Sequence, residues 1–167
     1  MKATPLLTGW TCRHLGDTAP GRPVTLPHDA MLAEPRSALS AGGVNTGWYE
    51  GYDYEYQRTL TVAENELSDT HILEFEGVYH NAEVWLNGQK AAFRPYGYTN
   101  FYVDCAPFLR AGDNELRVIA RNADQPNSRW YSGAGLYRPV QLWTAGEKHI
   151  LLNGVRIRTV SLNPAVV

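Results

Sequence analysis

Apolar and polar positions alternate with a period of two along several stretches of this chain. Tyr52, Tyr54, Tyr56, Leu60 and Val62 share one parity, and Asp53, Glu55, Gln57, Thr59 and Thr61 occupy the other. Successive side chains of a β-strand point to opposite faces, so this run predicts a half-buried strand. Leu73 and Phe75 alternate with Glu74 and Glu76 in the next run, and Ala82, Val84 and Leu86 with Glu83, Trp85 and Asn87 in the one after. That run closes on Asn87-Gly88, whose access to positive φ predicts a tight type I′ reversal into Lys90–Phe93. Further strands are predicted over Phe101–Cys105, over Glu115–Asn122 with Leu116, Val118 and Ala120 inward, and over Leu136–Trp143. A long polar loop, Ala123–Gly135, separates the last two. No stretch carries the i, i+3, i+4 recurrence of a helix of even three turns. Short strands punctuated by turn signals predict an all-β sandwich or barrel.

The two ends follow a different pattern. Up to about Ser40 there is little periodicity beyond an extended stretch at Pro23–Pro27, and the spacing of Pro and Gly predicts a strap laid across the sandwich. At the other end, His149–Leu162 reads as two extended pieces around Asn153-Gly154, and the second, with Val155, Ile157 and Thr159 against Arg156 and Arg158, has no later strand to pair with. Such an unpaired apolar edge is awkward for an independent domain.

Composition sharpens the picture. Five Trp, 10 Tyr and 4 Phe beside 15 Gly and 10 Pro favour pleated surfaces joined by turns. A hydrophobic share of 44% in 167 residues excludes a disordered chain, and the length allows one well-formed core. The net charge of −2 provides no basic field for nucleic acid or anionic lipid. No apolar run reaches the ~20 residues of a membrane helix, and Met1–Pro5 lacks the apolar stretch of a signal peptide, so a soluble, cytoplasmic protein is expected. Cys12 and Cys105 follow no metal-ligand spacing and read as buried free thiols.

Five stretches, in this order and spacing, resemble the N-terminal domain of glycoside hydrolase family two, the family of β-galactosidase, β-glucuronidase and β-mannosidase. They are Leu26-Pro27-His28-Asp29; Tyr54 to Leu60; Phe75-Glu76-Gly77-Val78 leading to Ala82–Gly88; Gly97 to Asp104; and Ser128 to Arg138. Together they cover roughly residues 22 to 145. The resemblance implies a jelly-roll β-sandwich, galactose-binding-domain-like, over residues 1–148, followed at 149–167 by the start of an immunoglobulin-like domain, truncated here. It also implies that the two catalytic carboxylates of a retaining glycosidase, which must lie about 5 Å apart, belong to a barrel domain outside this chain. No catalytic residue, metal ligand or cofactor is therefore assigned. Asp53 and Glu55 read as a solvated outer face of a strand, and His28-Asp29 as a structural turn.

What remains is sugar contact. Neutral sugars offer hydroxyls and a weakly apolar ring face, which aromatic rings and Asn, Asp, Arg and His groups recognise. The resemblance places two loops over the barrel, walling the terminal-sugar subsite, and carries that role onto Asn45, Asp124, Ser128, Arg129, Trp130 and Tyr131. Arg129 suits a sugar contact or an interdomain salt bridge; Trp130 and Tyr131 suit stacking on sugar or burial against the sandwich or the barrel. The expected role is an accessory domain of a retaining exo-β-glycosidase, whose partners are a terminal β-glycoside and the parent's barrel, with a homo-oligomer of the parent also open. A free-standing carbohydrate-binding module and a purely architectural domain are the alternatives.

Overall fold

The computed structural model describes residues 1–163 together with 165 and 166. In chain order its strands are β1 (Lys2–Pro5), β2 (Trp10–His14), β3 (Arg22–Val24), β4 (Asp53–Val62), β5 (Thr70–Phe75), β6 (Ala82–Leu86), β7 (Gln89–Arg94), β8 (Phe101–Asp104), β9 (Gly112–Arg121), β10 (Val140–Ala145), β11 (Ser161–Leu162) and β12 (Ala165–Val166). Ten of them form two antiparallel sheets, one of four strands in the order β1-β10-β5-β8 and one of six in the order β3-β2-β4-β9-β6-β7. Helical structure among the described residues is confined to four 3-10 turns of three or four residues. The chain is an all-β jelly-roll sandwich.

The alternating runs are the reason these sheets face each other. Tyr54, Tyr56, Leu60 and Val62 of β4 point inward with Val84 and Leu86 of β6 and Leu116, Val118 and Ala120 of β9, all buried. Leu73 and Phe75 of β5, Val103 of β8 and Val140 of β10 meet them from the smaller sheet within one hydrophobic cluster. Each large side chain so buried stabilises the fold by about 1.5–3 kcal/mol relative to exposure. Asn87 and Gly88 take φ of 49° and 78° and join β6 to β7 as the predicted hairpin. Both cysteines are free and buried, and burial pushes the Cys12 thiol up to about 11 and the Cys105 thiol to about 12.

Several expectations are corrected. The first 24 residues are not a strap: β1 pairs with β10, and β2 pairs with β3 and β4. Trp10 and Cys12 of β2 are buried core residues, but strands of four, five and three residues are too short to display a period. β10 begins at Val140 rather than at Leu136, because Pro139 has no N–H to give a ladder. β9 begins earlier, at Gly112, where Asn114 is fully buried and its Nδ2 donates to the carbonyls of Arg110, Gly112 and Leu60. Glu55 is not solvated: it is 4% exposed, with Oε1 accepting from Arg13 Nε at 2.8 Å and Oε2 from Arg117 Nη1 at 3.3 Å. Neighbouring strands supply those two arginines, and their long stems cover the carboxylate. Val155–Val160 joins no ladder, and Val155, Ile157 and Val160 remain exposed. Pro164 and Val167, at the end of the segment assigned to a following domain, lie outside the described residues.

Strand registers decide where the connections gather. β4 begins where β9 ends, with Asp53 opposite Arg121; β5 ends where β8 and β10 begin, with Phe75 opposite Phe101 and Val140; β6 begins where β7 ends, with Ala82 opposite Arg94. The stretch leading into β4 and the connections 76–81, 95–100 and 122–139 therefore share one end of the sandwich. The hairpin at 87–88, the connections 63–69 and 105–111 and the segment after Ala145 occupy the other.

Candidate functional site: an aromatic and polar rim

The loop after β9 is fixed at its base before it reaches the rim. Asp53 Oδ1 accepts from the Ala123 amide at 3.0 Å while its Oδ2 pairs with Arg121 Nη1 at 3.2 Å. Asn122 is fully buried, and its Oδ1 accepts from Gln125 Nε2 at 3.1 Å and Asn127 Nδ2 at 2.9 Å. Asn127 in turn lies 3.1 Å from His80 Nε2 and accepts from the Tyr79 hydroxyl at 3.1 Å. Burial holds His80 below its ordinary value, so a neutral ring faces Asn127.

Beyond Asn127 the loop forms one wall of a cleft of about 530 Å³ lined by Tyr79, Tyr96, Tyr98, Asn127, Ser128, Arg129 and Trp130. The other wall comes from the turn after β7, where Gly97 is required by close approach: a Cβ there would fall 2.7 Å from the Tyr79 ring and 2.9 Å from the Val78 carbonyl oxygen. Trp130 is 60% exposed, yet its Nε1 donates to the Tyr98 hydroxyl at 2.9 Å, which fixes the indole plane. Tyr98 also packs edge-on against Tyr79 and Tyr96, with centroids 5.3 and 5.6 Å apart. Two exposed rings, Trp130 and Tyr96, are thus held by a third. The Ser128 hydroxyl donates to the Trp130 carbonyl, and Arg129 has no side-chain partner among the described residues.

Tyr131 turns away from this cleft. Its hydroxyl donates to Asp29 Oδ2 at 2.6 Å, and its ring lies 6.0 Å from that of Tyr49. Burial and the hydrogen bond to Asp29 raise the Tyr131 phenol well above its ordinary value, so it is a donor at any physiological pH. Asp29 Oδ1 meanwhile accepts from the amides of Met31 at 3.1 Å and Ala134 at 3.0 Å, capping the 3-10 turn Ala30–Ala33 and tying it to the loop. Asn45 rides on the 3-10 turn Gly43–Thr46, whose cap Gly47 abuts the Tyr131 ring.

Of the six residues predicted for sugar contact, the fold brings Ser128, Arg129 and Trp130 into one cleft and sets Tyr131 beside the turn that carries Asn45. Asp124 is exposed at the start of the loop, outside the cleft lining, and it is the Asp124 backbone oxygen that accepts from Asn127. Sequence reasoning missed Tyr79, Tyr96 and Tyr98 as wall residues, although Tyr96 and Tyr98 flank a glycine in a turn, which is a usable signal. It also missed Asp29 as the residue that organises the far side of the loop.

Comparison with known proteins places this architecture. The beta-galactosidase BoGH2A of Bacteroides ovatus is 38% identical over 161 residues, spanning 90% of this chain and 19% of that protein. A beta-glycosidase from Bacteroides vulgatus superposes with a TM-score of 0.80 at 30% identity, over 87% of this chain and 20% of that one. A glycosyl hydrolase family 2 member from Bacteroides cellulosilyticus gives a TM-score of 0.78 at 27% identity, over 87% of this chain and 21% of that one. The chain thus spans about a fifth of the length of each. Residues 23–160 match the family described as glycosyl hydrolase 2 galactose-binding domain-like, and the chain belongs to that family.

Proposed function

We propose that this chain is the accessory N-terminal domain of a retaining exo-β-glycosidase, and that its rim helps wall the terminal-sugar subsite of a barrel domain carried elsewhere in the same polypeptide. The observation that carries this reading is the gathering of exposed Trp130, Arg129 and Tyr131 with Asn45 at one end of a rigid sandwich. Strands hold such loops far more firmly than an isolated loop could be held, which is what a subsite wall requires. Acid–base and nucleophilic chemistry falls to two carboxylates of the barrel, while the rim orients the sugar and excludes water. Asp53 and Glu55, the local acidic pair, are committed to Arg13, Arg117, Arg121 and the Ala123 amide. The segment after Ala145 leaves from the opposite end, toward the immunoglobulin-like domain that this reading places next.

Trp130→Ala in the full-length parent tests the reading. The ring is mostly exposed, so stability should change by no more than about 0.5 kcal/mol. Loss of a stacking contact should lower kcat/KM for a terminal β-glycoside by roughly tenfold. Wild-type kcat/KM in a normally assembled variant would remove the pocket role and leave an architectural one.

A further inference from the structure

The cleft formed by Tyr79, Tyr96, Tyr98 and Trp130 has features that a bare subsite wall does not need. Its two most exposed rings, Tyr96 at 55% and Trp130 at 60%, are braced through Tyr98, so the apolar surface they present is organised before any ligand arrives. Of its lining residues, only Arg129 carries a formal charge. The charged groups of the adjoining groove are already engaged. Glu74 accepts from Asn100 Nδ2 at 3.0 Å and Trp143 Nε1 at 2.8 Å, Glu76 accepts from Gln141 Nε2 at 2.8 Å, and Arg138 Nη1 donates to the Tyr98 carbonyl at 3.2 Å. Arg94 Nη2 donates to the Thr99 hydroxyl at 2.8 Å. An arginine in the same cleft lining as these rings, with no carboxylate partner among the described residues, offers a planar fork of donors whose natural complement is a carboxylate or sulfate.

Taking the rim as sugar-facing, as proposed above, we infer that this cleft receives an anionic pyranose, a sugar ring bearing a carboxylate or a sulfate ester. The ring's apolar face lies on Trp130 and Tyr96, and its anion pairs with Arg129. The Asn127–Ser128 segment borders the hydroxyl edge of the sugar. Carboxylate and sulfate present the same oxygen geometry to the guanidinium, so the structure specifies the charge and its placement.

The test uses the 167-residue chain and three probes: methyl β-D-glucuronide, galactose 6-sulfate and methyl β-D-glucoside. Binding is read from the indole N–H resonance of Trp130 in proton–nitrogen spectra, identified by its loss in Trp130→Phe. At least one anionic probe should shift that resonance at millimolar concentration and bind about tenfold more tightly than the neutral glucoside, as a charge-assisted pair predicts. R129Q should erase the preference while the shift persists, and raising the salt should weaken the anionic probe alone. The stronger of the two anions identifies the source of the charge. Equal binding of neutral and anionic probes, a preference that survives R129Q, or silence toward all three would overturn the inference. None of these outcomes touches the Trp130→Ala kinetics of the parent, by which the accessory role stands or falls separately.

Discussion

Replacing Trp10 with alanine should destabilise the sandwich by about 3–5 kcal/mol, the range for deleting a large buried aromatic. Trp10 is 1% exposed and is the largest of the fully buried side chains of β2; its Nε1 donates to the Leu6 carbonyl at 2.7 Å, and the Arg58 guanidinium lies 5.9 Å from its ring centroid. Alanine therefore leaves a cavity, an unpaired carbonyl and a guanidinium without its aromatic neighbour. At roughly 2–4 °C per kcal/mol for a domain of this size, the melting temperature should fall by about 6–20 °C. Trp10→Phe keeps most of the packing and should lose only about 1–2 kcal/mol with the indole hydrogen bond. Urea unfolding of the two variants distinguishes a structural strand from a strap. If the first 24 residues only lay across the surface, both variants would stay within about 0.5 kcal/mol of the parent sequence.

Gly135→Ala should cost about 3 kcal/mol, and through a different mechanism. Gly135 has φ of +87°, where a Cβ costs about 1–2 kcal/mol in local strain. That Cβ would also fall on the Tyr56 hydroxyl, inside contact distance, and overpacking of this kind adds roughly 1–3 kcal/mol. Neither partner can yield cheaply. Gly135 exchanges backbone hydrogen bonds of 2.8 and 3.1 Å with Tyr79, and Tyr56 is fully buried with its hydroxyl 2.8 Å from His28 Nδ1. The double variant with Tyr56→Phe removes the atom that the new methyl would strike. The two substitutions should therefore be coupled by about 1 kcal/mol or more in denaturant unfolding. Strict additivity would mean that the loop end does not rest on Tyr56, and the rim would lose its link to the core.

These two residues also mark how much of the molecule is legible in the chain. The inward faces of β4, β6 and β9 announce themselves because each run is long enough to repeat its parity, and a sheet buried on one face imposes that parity. Trp10 is obscured because its strand has five residues and relies on neighbours far away in sequence. Of the extended piece predicted to run to Leu162, Val155–Val160 has the right alternation but joins no ladder among the described residues, and only Ser161–Leu162 finds a partner, in Ala165–Val166; alternation alone does not make a strand. Glu55 looks solvent-facing by parity and is buried by arginines from two other strands. At the rim, Arg129 and Trp130 stand out because polar and aromatic residues crowd one long loop. Tyr79 and Asp29 do not, since their contribution depends on registers that bring separate connections together; Asp29 reaches an amide 105 positions away.

On the reading proposed above, this sandwich supplies walls and no bond-breaking chemistry. Hydrolysis of a panel of 4-nitrophenyl β-glycosides by the purified 167-residue chain, beside the full-length parent at equal molarity, tests it most directly. Release of nitrophenol by the chain should stay at the buffer rate while the parent turns over its preferred glycoside. Enzymatic turnover by the chain alone, abolished by substitution of one of its own carboxylates, would contradict the account.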